Sequence, residues 1–254
     1  MAHLRCDFFS DALGLSTSMT VILPQASGNQ IGIESVAQAT EPPVLYLLHG
    51  LSDDDTIWLR HTSIERYAAQ RGLAVVMPQV HRSFYADEAY GMKFWTFLSE
   101  ELPAVVGRFF RVSERREDSY VAGLSMGGYG AFKWALRRPG RFAAAASLSG
   151  VLDLDRRVRE DDTGLFRPVF GDRPVAGSDD DLLALLGRAG ADLPRLYVAC
   201  GTEDVLYADN RSFVAACAAA GIAVTTDFGP GEHEWGYWDA RIQNVLTWMF
   251  PPQP

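Results

Sequence analysis

A serine with glycine two residues to either side, in Gly123-Leu124-Ser125-Met126-Gly127-Gly128, lies between an apolar run and a segment able to coil. In a strand–turn–helix context such a serine serves as a nucleophile. The tight turn holds it in a strained backbone conformation, and the glycines leave room for that turn. The context is present. Ser119-Tyr120-Val121-Ala122 reads as a short buried strand. Downstream, Tyr129, Ala131, Phe132, Trp134, Ala135 and Leu136 fall at spacings that a helix can bury on one face, until Pro139-Gly140 stops it. The competing reading of the same residues is a Gly-rich turn that only closes a strand–helix unit.

A serine hydroxyl needs a base to take its proton and a carboxylate to orient that base. Five histidines are available: His3, His49, His61, His81 and His233. In a sheet wound on both faces, functional groups collect beyond the carboxyl ends of the strands. His233 sits in such a place, in Phe228-Gly229-Pro230-Gly231-Glu232-His233-Glu234-Trp235 after the last strand. His61 and His81 also lie beyond strands but precede the serine, and the chain order serine, acid, histidine selects His233. Between the two, Leu196-Tyr197-Val198-Ala199-Cys200 ends in Gly201-Thr202-Glu203-Asp204, a strand end carrying carboxylates. Asp204 is the expected acid, with Glu203 in reserve. Oxyanion donors are expected from the backbone N–H groups of Met126, at the start of the elbow helix, and of Leu51, after the strand that ends at His49-Gly50.

These positions require a scaffold of alternating strands and helices. From about residue 43 the sequence supplies strands over 44–48, 73–77, 119–122, 142–148, 196–199 and 223–227. Helices are expected over 63–71, from near 95 towards 110 with Pro103 as a kink or a new start, over 128–138, 210–220 and 242–249. This rhythm predicts an α/β fold with a mostly parallel central sheet and helices on both faces. Residues 4–10 and 18–23 read as two antiparallel strands, followed by a polar loop over 26–41. Residues 151–194 are less regular, with one short helix at 180–188, and form a cap-like insertion or a surface excursion within one domain spanning 1–254.

The 254 residues, 48% hydrophobic and 22% charged, fit one sizeable domain, and the net charge of −9 argues against nucleic acid as a partner. The cluster around residues 111–116, interrupted by Glu114, reads as a solvated loop. Cys6, Cys200 and Cys217 have no metal-ligand spacing and read as free thiols, two of them buried. The chain start shows no secretory pattern, and no run is long and apolar enough to span a bilayer, so a cytoplasmic location and no membrane partner are expected. The chemistry calls for no metal and no organic cofactor.

Together, Tyr46-Leu47-Leu48-His49-Gly50, Arg82-Ser83-Phe84-Tyr85, Glu101-Leu102-Pro103, the elbow over 123–130, Gly201-Thr202-Glu203-Asp204 and His233-Glu234-Trp235 resemble the esterase D superfamily of α/β-hydrolases, in particular its tributyrin esterase-like branch of short-chain carboxylesterases. The resemblance spans nearly the whole chain in the family's order. It implies Ser125 as nucleophile, Asp204 as acid, His233 as base and oxyanion donors at Leu51 and Met126, acting on a small-molecule ester; it also suggests a homo-oligomer, dimer or tetramer. S-formylglutathione hydrolases are close relatives, but they usually place histidine before the serine and after the second glycine, where this chain has Leu124 and Tyr129. The loop Ser52-Asp53-Asp54-Asp55 departs from them, and its acidic triplet departs also from the more neutral loop of the esterase branch; it disfavours an anionic thioester, or is simply solvated. Trp58, Tyr85 and Trp235 are the candidates for contacting substrate, with Phe84 and Trp95 behind them. Acyltransferases and feruloyl or acetyl-sugar esterases share the same triad and remain alternatives, as does a non-catalytic binding module on this fold.

Overall fold

The computed structural model describes residues 1–26, 31, 36, 41–190 and 192–251; the polar loop expected over 26–41 lies almost wholly outside the described residues. Sixteen mostly apolar or small residues in three short runs build the centre of the molecule: β3 (Val44–Leu48), β5 (Ser119–Leu124) and β6 (Ala144–Leu148) are buried along their whole length, as strands covered on both faces must be. Alternation along the strand then sorts side chains between two layers. Val44, Tyr46 and Leu48 join one core cluster, while Leu45 and Leu47 join the other.

The elements follow in this order. β1 (Ala2–Ser10) and β2 (Leu15–Leu23) form a hairpin; β3 is followed by α1 (Ile57–His61), α2 (Ile64–Ala69) and β4 (Ala74–Pro78). Next come α3 (Phe94–Thr96) and α4 (Leu102–Phe109), then β5, α5 (Met126–Arg137) and β6. The chain continues with α6 (Leu154–Arg159), α7 (Arg167–Phe170), α8 (Leu182–Gly187), β7 (Arg195–Gly201), α9 (Tyr207–Ala219), β8 (Val224–Gly229) and α10 (Trp235–Met249). Among the described residues eight strands form one sheet in the order β1-β2-β4-β3-β5-β6-β7-β8, antiparallel at β1–β2 and β2–β4 and parallel from β4 onwards. The parallel strands all send their carboxyl ends to one side.

The helix expected from 95 to 110 is present but not uniform. Between α3 and α4 the chain widens into a π turn over Phe97–Glu101, directly before Pro103 near the start of α4. Proline brings no N–H to the helical ladder, and a wider turn accommodates it. The Glu101 carboxylate there accepts from the Ser10 hydroxyl and from the N–H groups of Asp11 (2.7 Å) and Ala12 (3.3 Å), fastening the β1–β2 turn to the helix. The last helix starts at Trp235, earlier than the expected 242, because Glu234 caps it by accepting from Gly236 and Tyr237, both at 2.7 Å.

Within 151–194 the structure adds α6 and α7 to the expected α8. The segment is tied down at several points. The Tyr129 hydroxyl donates to Asp180 O (2.9 Å) and the buried Lys133 Nζ pairs with Asp180 Oδ1 (2.5 Å), both from α5. Arg156 and Arg157 both pair with the fully buried Asp209 of α9. No helix among the described residues is long and apolar enough to cross a membrane.

Candidate active site

Ser125 occupies the turn between β5 and α5 with φ 52° and ψ −119°, a left-handed conformation that side chains rarely adopt. The flanking glycines explain why the chain tolerates it. A Cβ on Gly123 would come within 2.3 Å of Gly127 O, and one on Gly127 within 2.4 Å of Leu48 O and 2.7 Å of His49 O. Both positions are therefore backbone-on-backbone contacts. Ser125 N–H donates to Leu148 O (2.9 Å), while Ser125 O accepts from Tyr129 N–H (3.1 Å) and Val151 N–H (3.3 Å). The side chain projects from a turn held on three sides.

The loop after β8 brings His233 to it. Nε2 lies 3.0 Å from Ser125 Oγ, and Nδ1 lies 2.9 Å and 3.1 Å from the two oxygens of Asp204, at the end of β7. An ionised carboxylate only accepts, so Nδ1 carries the hydrogen and Nε2 is free to accept from the serine hydroxyl. Asp204 is buried, which alone would raise its pKa. Hydrogen bonds from His233, the Leu206 N–H (2.7 Å) and the Ser149 hydroxyl, with the charge of an imidazolium, outweigh burial and lower it. Ser149 is itself fixed at positive φ (48°) and accepts from Trp238 Nε1 (3.2 Å), whose ring packs edge-on against His233 with centroids 4.8 Å apart.

Glu203, the reserve acid, points elsewhere. Its carboxylate accepts from Gly231 N–H (2.7 Å) and the Thr202 hydroxyl (2.7 Å), and its own N–H donates to Gly231 O (3.1 Å). These bonds, the Gly231 bond foremost, lower its pKa. Gly231, at φ 148°, is thus clamped two residues before His233. Chain position alone could not separate the two neighbouring carboxylates.

Met126 opens α5, so its N–H is one of the first-turn donors that a helix leaves without an internal partner. Leu51, half-buried, follows Gly50 at the end of β3, against which the turn at Gly127 packs. His49 braces this strand end from inside: its Nδ1 donates to Gly50 O (2.7 Å) and Nε2 accepts from Val80 N–H (3.1 Å). Complete burial lowers its pKa, so it stays neutral. The three aspartates after it are not a solvated run. Asp53 accepts from Gly50 N–H (3.1 Å), Asp54 accepts from Thr56 N–H (2.9 Å), and Asp55 is buried, accepting from Ser18 (3.1 Å) and Thr20 (2.9 Å) of β2.

The aromatic candidates separate. Tyr85 is wholly buried, its hydroxyl donating to His49 O (2.9 Å) and its ring packed where a Gly130 Cβ would sit. Trp58 is also buried, donating through Nε1 to Leu48 O (3.1 Å). Both support the end of β3 from behind. Trp235 is half-buried, edge-on to Trp58 (5.4 Å) and Trp238 (5.2 Å) and stacked with the exposed His61 (4.9 Å). Phe84 packs on Tyr129 and Phe166, and Trp95 lies beside Lys133 and Arg137. Among the described residues no three His, Cys, Asp or Glu side chains are grouped as a metal site would require.

The family model named Esterase matches residues 10–249. An acetyl esterase of Caldicellulosiruptor saccharolyticus is 30% identical, the match covering 98% of each chain. Two solved structures from Staphylococcus aureus are each 35% identical and cover 98% of both chains. One is the fluorophosphonate-binding serine hydrolase FphF (TM-score 0.88) and the other an S-formylglutathione hydrolase, FrmB (TM-score 0.85).

Proposed function

The chain belongs to the Esterase family, in the esterase D superfamily of α/β-hydrolases, and is a serine-type carboxylic ester hydrolase; from that premise we propose that it cleaves short-chain acyl esters through an acyl-enzyme on Ser125. The carrying observation is the hydrogen-bonded line Ser125–His233–Asp204 on a strained elbow. His233 Nε2 takes the Ser125 proton as Oγ attacks the ester carbonyl. Asp204 holds the imidazole by Nδ1 and stabilises the imidazolium without taking the proton. The Leu51 and Met126 N–H groups receive the oxyanion, each such donor contributing about 100- to 1000-fold in kcat. His233 then protonates the leaving alcohol and, in the second half, takes a proton from water that releases the acid.

On this reading the buried Trp58 and Tyr85 set the position of the oxyanion loop, whereas the half-buried Trp235 is the aromatic left to meet substrate. Residues 151–190 act as a fixed wall rather than a mobile lid, because Lys133, Tyr129 and Asp209 anchor them.

Thioester hydrolysis is the second reading, favoured by the likeness to an S-formylglutathione hydrolase. The elbow disfavours it: Leu124 is buried, and Tyr129 is committed to Asp180. Comparing kcat/KM for p-nitrophenyl butyrate and S-formylglutathione, with Ser125→Ala as blank, separates the two. A clear preference for butyrate upholds the proposal; a preference for the thioester replaces it. Added alcohol, with product analysis, tests acyl transfer, which the curated mycolyltransferase relative from Mycobacterium gordonae (30% identical) brings into consideration.

A further inference from the structure

We propose that the outer edge of β1 is a self-pairing surface, on which a second copy of this chain adds its own β1 antiparallel about a two-fold axis through Cys6. β1 is nine residues long and pairs with β2 without a bulge, from Ala2 opposite Leu23 to Ser10 opposite Leu15. It contains no proline, and no strand among the described residues pairs with its other side. A long, regular edge of this kind offers a row of N–H and C=O groups to any strand that fits, and proteins usually blunt it.

Here the edge is dressed for a partner. Phe9 is 62% exposed and Leu4 36% exposed, and Phe109 of α4, 55% exposed, sits edge-on to Phe8 at 6.3 Å. Only two charged side chains interrupt the strand, Arg5 and Asp7, both exposed and 3.3 Å apart.

These two charges fix the register. A two-fold axis normal to the sheet keeps each side chain on its own face, so the axis must pass through a residue position. Centred on Arg5, it sets two guanidinium groups against each other; centred on Asp7, two carboxylates. Centred on Cys6, it sets each Arg5 against the partner's Asp7. The same register sets Leu4 against the partner's Phe8, on the face where Phe8 meets Phe109. It also uses the whole strand. Opposite-charge pairs directly across an antiparallel ladder stabilise it and like charges oppose it, so this register is selected both positively and negatively.

Sedimentation velocity at tens of micromolar provides the test, on the wild type, on Arg5→Asp and on Asp7→Arg. The wild type is expected to dimerise. Each single reversal should weaken the dimer by at least about tenfold, since both cross-strand pairs become like-charged. An equimolar mixture of the two variants restores both pairs and should recover the dimer, an outcome that misfolding cannot produce. A short bismaleimide should join Cys6 to the partner's Cys6, because Cys200 and Cys217 are buried. A monomeric wild type, an assembly indifferent to these reversals, no recovery on mixing, or no Cys6–Cys6 link would each overturn the proposal. Ester turnover is read in parallel and stands independently of the result.

Discussion

The carboxyl ends of β3 and β8 each lead into a histidine, and the two histidines are alike in tautomer. Both hold their hydrogen on Nδ1 and present a bare Nε2. At His49 the Nδ1–H goes to a backbone carbonyl and Nε2 accepts from the Val80 amide, in full burial. At His233 the Nδ1–H goes to a carboxylate and Nε2 accepts from a hydroxyl. An amide does not give up its proton; a serine hydroxyl can, once a base is in place and the resulting cation has a carboxylate beside it. On the proposed mechanism one ring is therefore a strut and the other a base. The difference lies in the partners at the two nitrogens.

Breaking the β8 side should have the largest effect. Ser125→Ala and His233→Ala are each expected to lower kcat/KM for a short acyl ester by about 10⁴- to 10⁶-fold, and the double variant little further, because the two act as a unit. Steady-state kinetics beside unchanged thermal melting checks this. Asp204→Asn should cost about 10³- to 10⁴-fold, since an amide can donate to Nδ1 and turn the ring to the wrong tautomer.

The strut side should respond in stability first. His49→Gln is expected to cost about 1–3 kcal/mol, read by denaturant unfolding, through loss of two buried hydrogen bonds. Because burial lowers the folded pKa of His49, the unfolded chain binds a proton that the folded chain refuses. Wild-type stability should thus fall as pH drops through about 6.5, the ordinary histidine value, and that component should vanish in His49→Gln. The smallest effect is expected at Glu203→Gln. Weakening the clamp on Gly231 should lower kcat by about 3- to 10-fold with KM unchanged, as a slight misplacement of His233 would.

The same contrast explains what could be read from the chain alone. The elbow was legible because its geometry demands glycine at 123 and 127, and both glycines prove to be close backbone contacts. The sheet was legible because doubly buried strands need unbroken apolar runs. Asp204 is preferred to its neighbour Glu203 in the sequence, and the path of the loop at Gly231 is what gives the two carboxylates different partners. Nor could composition show that the acidic loop after His49 is spent on Gly50, Thr56 and β2. Helix α6 is rich in arginine and held by the distant Asp209, and α7 is only four residues long, so no local periodicity announces either.

The central claim is that Ser125 is the activated nucleophile of this chain, and a fluorophosphonate tests it most directly. Intact mass and peptide mapping after labelling should show one phosphonyl adduct on Ser125, absent in Ser125→Ala and formed far more slowly in His233→Ala. An unlabelled protein, or an adduct on another residue, would contradict the account.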